Sequence, residues 1–253
     1  MLVCANWKMN TNVSEGLENL EKIVSRVGSL NNVEVSIFPP FTHLDAFKKF
    51  LDDKNSKITL GAQNIHSEEE GAYTGEISCR MIQDFCKYVI IGHSERRLYC
   101  LETNKIISKK LQQVQKNNLT PILCIGETKE EKDRGEVKSV LETQLTKPLE
   151  GYSKDKELVI AYEPVWAIGT GITPGPEEIT VSHLFIKEKL LNLGISEDKF
   201  KILYGGSTNE NNVANFAREK DVEGFLVGGT SLVPEKFIGL CKNLNASLST
   251  KGN

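Results

Sequence analysis

Three side chains able to do acid–base or electrostatic work stand at the ends of three separate apolar runs: Lys8, His93 and Glu163. A glutamate directly after Leu158–Tyr162 can take a proton from carbon. A histidine in Gly92-His93-Ser94-Glu95 can polarise an oxygen or pass it a proton, and the Lys8 ammonium can hold the charge of an enediolate. Asn6 precedes Lys8 by two positions. Singly, each has a plainer reading, such as a solvated lysine or a histidine satisfying a loop backbone; only convergence makes a site. Together they would move a proton between neighbouring carbons of a small carbonyl compound.

Tyr204-Gly205-Gly206-Ser207 and Leu226-Val227-Gly228-Gly229-Thr230 each place a glycine pair after an apolar run. One pair reads as a tight turn. Two pairs after the last two runs suit backbone N–H groups gripping a phosphate. Glu163 is followed by Pro164-Val165-Trp166-Ala167-Ile168-Gly169-Thr170-Gly171. Bulky apolar residues rarely sit on a surface loop unless they become covered, so residues 164–174 are expected to form a water-excluding lid. The glycines there lack the GxGxxG spacing of a dinucleotide site. His43, His66 and His183 read as structural or exposed, and Cys124 as packing. Glu95, with Arg96 and Arg97, reads as a supporting ion-pair shell beside Ser94.

Residues so distant in sequence must be gathered by the fold. Eight short apolar runs recur: Leu2–Ala5, Val33–Phe38, Ile58–Ala62, Tyr88–Ile91, Pro121–Ile125, Leu158–Tyr162, Lys201–Tyr204 and Gly224–Val227. Several lack in–out alternation, as parallel strands buried on both faces do. Amphipathic stretches follow most of them; Glu15–Val27 sets Leu17, Leu20, Ile23, Val24 and Val27 on one helical face. The mean spacing of about 31 residues is that of a strand–helix unit. Eight repeats without a linker predict one closed (β/α)8 barrel, with an open doubly wound sheet as the alternative. Residues 1–246 would form this single domain and 247–253 a disordered tail. In a closed barrel, side chains just past the strand C-termini share one face, which is where Asn6, Lys8, His93, Glu163 and both glycine pairs fall.

The 253 residues carry a net charge of -3, against the basic surplus a nucleic-acid binder would show. The six cysteines form no CxxC pair, which argues against a metal or disulfide framework. No signal peptide or membrane span is visible, so a cytoplasmic protein is expected.

Asn6-Trp7-Lys8-Met9-Asn10, Gly71-Ala72-Tyr73-Thr74-Gly75-Glu76, Gly92-His93-Ser94-Glu95-Arg96-Arg97, Ala161 through Gly171, Tyr204 through Ser207 and Leu226 through Gly229 resemble triosephosphate isomerase, in the same order and over essentially the whole chain. The resemblance implies a TIM barrel that interconverts dihydroxyacetone phosphate and glyceraldehyde 3-phosphate in glycolysis and gluconeogenesis, with no cofactor and no metal. It implies Glu163 as base, His93 as a neutral electrophile, Lys8 facing the enediolate and Asn6 orienting them. Gly169, Ser207, Gly228 and Gly229 would grip the phosphate, and a homodimer would insert the Tyr73-Thr74-Gly75 loop beside the partner's site.

Three departures stand out. The arm before the first strand is short, and Thr208 replaces a valine. Pro174 falls where the family has an alanine whose N–H meets the tyrosine matching Tyr204. Proline has no N–H to offer. Rival readings are a metal-using epimerase, a methylglyoxal-forming lyase, or an inactive barrel serving as a scaffold. The first lacks its carboxylate pair, the second would not need two glycine pairs, and the third would not need all four polar residues.

Overall fold

The computed structural model describes residues 1–168 and 174–249. Parallel strands β1 (Leu2–Asn6), β2 (Glu34–Phe38), β3 (Thr59–Ala62), β4 (Tyr88–Ile91), β5 (Thr120–Ile125), β6 (Leu158–Tyr162), β7 (Phe200–Tyr204) and β8 (Gly224–Val227) pair in sequence order. β8 then pairs with β1, so the sheet closes on itself and is not the open alternative. Helices α1 (Val13–Val27), α2 (Leu44–Asp53), α3 (Cys79–Ile82), α4 (Ser94–Tyr99) and α5 (Asn104–Lys116) follow the first four strands. After β5 come α6 (Lys129–Asp133) and α7 (Val137–Thr146), then α8 (Pro176–Asn192), α9 (Val213–Phe216) and α10 (Pro234–Ser249) after the last three.

Each strand buries both faces, apart from the exposed Lys201 near the start of β7. On β1, Leu2 and Cys4 join Phe38, Ile90, Ile122, Ala161 and Leu203 inside the barrel, while Val3 and Ala5 face the core under the helices. That two-sided burial is why the runs read as continuously apolar. The interior is tight: a Cβ on Gly61 would come 2.1 Å from the Phe38 ring, so β3 needs a glycine where that ring fills the barrel. Helix α1 starts at Val13, two residues before the expected Glu15, because Asn12 caps it by accepting from Glu15 N at 3.0 Å.

The C-terminal end departs from expectation. α10 runs to Ser249, past the boundary expected at residue 246, because Leu244 is buried and Leu248, one turn on, still packs against the core. Residues 250–253 lie outside the described residues.

His183, on α8, is fully buried, with Nδ1 2.8 Å from Asp221 O; Nε2 has no hydrogen-bond partner among the described residues. Burial pushes its pKa down to about 4. The unfolded chain therefore takes up this proton first as pH falls from about 6.5. His183 costs nothing above that pH, and should remove ~3 kcal/mol of stability by about pH 4. Urea unfolding should show this acid slope, reduced in His183→Gln; an identical slope in the variant would contradict it.

Candidate active site

The strand C-termini bring the chemically capable residues to one mouth. Asn6 ends β1, and its Oδ1 accepts from Lys8 N at 3.1 Å. Lys8 has a φ of 54°, a left-handed conformation uncommon outside glycine, which turns its side chain along the rim. Its Nζ reaches Glu95 Oε1 at 2.5 Å. Gln63, just past β3, secures this turn by donating to Lys8 O at 2.8 Å and Phe38 O at 2.9 Å.

His93 caps α4: its Nδ1 accepts from Glu95 N at 3.2 Å. Its Nε2 lies 3.1 Å from Glu163 Oε1. Glu163 follows β6 and is 2% exposed; its Oε2 accepts from Ser94 N at 3.2 Å. Its backbone leaves no slack. A Cβ on Gly126 would meet Glu163 O at 1.7 Å, so only glycine lets the end of β5 pass the base this closely.

Burial works against an ionised Glu163, but His93, the Ser94 N–H and the Lys8 ammonium together hold its pKa below the usual glutamate value. The base rests as a carboxylate. For His93, burial lowers the pKa while the Glu163 charge raises it, with a net upward pull. Against that pull stands a hydrogen bond. Nδ1 is occupied as an acceptor by Glu95 N–H, so a second ring proton could be added only by breaking that bond. The geometry assigns the ring as neutral, with its proton on Nε2 facing Glu163.

Asn6, Lys8, His93, Glu163, Ile168, Ser207, Gly228 and Gly229 line one cavity of about 310 Å³, together with Gly205, Gly206, Thr208, Asn209 and Thr230. Lys8 is its one cation among the described residues. The Gly229–Leu232 turn begins at its wall, and a Cβ on Gly229 would meet nothing within 4 Å, so the backbone there is open to a ligand. Thr208, where the resemblance implies a valine, is accommodated: its hydroxyl donates to Gly206 O at 3.1 Å and its carbonyl accepts from Thr230 Oγ1.

Pro164 leads from Glu163 into the single turn Val165–Ala167, which holds Trp166, and Ser207 Oγ donates to Ala167 O at 2.7 Å. Gly169, Thr170 and Gly171 lie outside the described residues. Tyr73, Thr74 and Gly75 are exposed on the loop after β3 and do not line this cavity.

The expected ion-pair shell is different in composition. Glu95 turns to Lys8 rather than to an arginine. Arg96 Nε donates to Glu102, which also takes the buried Lys110 ammonium. Arg97 braces the rim by donating to Gly92 O, Cys124 O and Asn104 Oδ1. Cys124 is packed inside the barrel, and burial pushes its thiol pKa well up. Gln63 and Glu127 are not among the residues expected from sequence, although they lie one and two residues past the ends of β3 and β5, as Glu163 and His93 do past β6 and β4.

Residues 1–244 match the family model described as Triosephosphate isomerase. A triosephosphate isomerase of Aquifex aeolicus is 44% identical over 239 residues, covering 93% of this chain and 96% of its own. One of Carboxydothermus hydrogenoformans is 43% identical over 245 residues, covering 95% and 97%. One of Dehalococcoides mccartyi is 41% identical over 244 residues, covering 96% and 95%.

Proposed function

This chain belongs to the triosephosphate isomerase family and interconverts dihydroxyacetone phosphate and glyceraldehyde 3-phosphate, and we propose that Glu163, His93, Lys8 and Asn6 carry the reaction. The supporting observation is that all four line one cavity with Ser207, Gly228 and Gly229.

The Glu163 carboxylate takes a proton from C1 of the ketose, and the C–H electrons form the C1–C2 double bond as the carbonyl oxygen gains negative charge. His93 Nε2–H donates to that oxygen, the role a neutral imidazole is known to play in this family. Lys8 holds the developing charge, and Asn6, tied to the Lys8 backbone, orients it. His93 Nε2–H gives its proton to O2 and recovers the one on O1, Glu163 returns the carbon proton to C2, and the aldehyde forms at C1. Substrate oxygens that claim His93 Nε2–H remove one of the donors stabilising the resting carboxylate. A buried carboxylate with fewer donors is a stronger base, so binding itself arms Glu163. Backbone N–H groups of Ser207, Gly228 and Gly229, with Gly169, grip the phosphate. Residues 164–174 act as the lid that keeps the enediolate from losing phosphate to water. Interconversion in chelator, without nucleotide, tests this reading, since a metal-dependent epimerase or an inert scaffold would show none.

The lid has an altered hinge. Tyr204 Oη is buried without a hydrogen-bond partner among the described residues, and Pro174 has no N–H to offer it. Closure therefore leans on Ser207 with Gly171, and the stiffer hinge sets the lid's kinetics. Pro174→Ala should change kcat, substrate affinity or loop exchange measured by NMR; if all three match the parent, the hinge argument fails.

The assembly is a homodimer of a cytoplasmic enzyme that serves glycolysis and, in reverse, gluconeogenesis. Met9, Tyr73, Met81, Leu98, Tyr99 and Leu101 are exposed, all on the loops and short helices after β1, β3 and β4. Apolar surface gathered on one sector of a rim is what a partner covers. Sedimentation should give twice the 28.2 kDa chain mass, and Thr74→Arg should give the single chain with reduced activity. A fully active single chain would overturn the dimer.

A further inference from the structure

Lys132, on α6, lies outside the cavity, and no step above uses it. Its ammonium stands 3.5 Å from the centroid of the Trp166 ring and forms an ion pair with Glu178 in the first turn of α8. Trp166 Nε1–H donates to Glu127 Oε1 at 2.7 Å, and the same buried carboxylate takes the Tyr162 hydroxyl. The indole is therefore held at its edge by an anion and on its face by a cation. α6 is built to present that cation, because Thr128 and Glu131 form a capping box that fixes its first turn. Val165 N also donates to Glu127 O at 3.0 Å, so backbone and indole are pinned to one residue.

Trp166 is three residues from Glu163, within the turn Val165–Ala167. Where the indole rests fixes the path of the chain leaving the base. Glu178 stands beyond that segment, so one ammonium ties both flanks together. A solvated surface lysine would not sit this close over a ring while paired on its other side.

We propose that Lys132 is a positioning residue for the isomerisation: stacked on Trp166 and paired with Glu178, it sets residues 164–168 in register with the Glu163 side chain. This rests on the catalytic reading of Glu163. A base displaced by a fraction of an ångström binds substrate as before but transfers the proton less well, so the effect falls on kcat.

Lys132→Met should lower kcat about three- to tenfold, the factor of a single cation–π contact, with KM within about twofold. Lys132→Arg keeps a cation over the ring and should recover most of the rate. Trp166 emission should shift in Lys132→Met, because Trp7, packed against Phe47, is the one other indole and lies on a different element. Both effects should disappear in a Trp166→Leu background, which leaves no ring for the cation to stack on. Equal loss in the Met and Arg variants, an unshifted emission, or a rate loss that persists without Trp166 would each overturn the proposal. The emission readout needs no turnover, so it stays informative even if Glu163 proves not to be the base.

Discussion

Glu163→Gln should lower kcat by at least about 10²–10⁴-fold, the range one well-placed acid–base group supplies. KM should barely move. The carboxylate touches substrate carbon through a proton that is in flight only in the transition state, so its loss is a loss of transition-state stabilisation. An amide has the same shape but no useful basicity. Its NH2 group must also face Ser94 N–H or His93 Nε2–H, two donors that the carboxylate accepts from at 3.2 and 3.1 Å. Glu163→Asp separates placement from basicity: it stays a base but withdraws the oxygens by one methylene, and a misplacement of about 1 Å can cost roughly 10²-fold. Steady-state kinetics in both directions would check these values, with circular dichroism confirming the barrel. A Gln variant with near-parental kcat would remove Glu163 from the chemistry.

The second large effect belongs to Lys8. Lys8→Met keeps the aliphatic stem but removes the one cation lining the cavity among the described residues. Enediolate and phosphate both lose their countercharge, so kcat should fall and KM should rise. A combined loss in kcat/KM of about 10²–10³-fold or more is expected, the scale of removing one preorganised stabiliser of developing charge. Without the ammonium, one of the influences lowering the Glu163 pKa is gone, so the acid limb of the pH–rate profile should move upward. Lys8→Arg is not a neutral change, because a planar fork cannot occupy the place of a compact ammonium paired at 2.5 Å with Glu95. The split between kcat and KM reads the outcome: a rise in KM alone would make Lys8 a phosphate ligand without a role in the enediolate.

Much of this arrangement was legible before any coordinates. Strands buried on both faces leave uninterrupted apolar runs, which is why each observed strand begins and ends within a residue of its expected limits. The barrel then turns a position in sequence, just past a strand end, into a position in space. That rule located His93 and Glu163, and applied evenly to β3 and β5 it would also have located Gln63 and Glu127. What spacing could not supply was the choice of partner. Glu95 meets Lys8 across the rim and not Arg96, because the left-handed turn at Lys8 and the competing pull of Glu102 decide which charges come within reach. The helical continuation over residues 247–249 was not legible because Ser247 and Ser249 mask a helical repeat carried by Leu244 and Leu248.

Crystals grown with a phosphorylated two-carbon carboxylate, a planar anionic mimic of the enediolate, would test the convergence of these groups directly. The expected result is one ligand whose carboxylate lies within hydrogen-bond reach of His93 Nε2 and Lys8 Nζ, with Glu163 against its reacting edge and its phosphate on the amides of Ser207, Gly228 and Gly229. A ligand seated elsewhere on the protein, or bound in the cavity with Glu163 still held by Ser94 and His93 and out of reach, would contradict it.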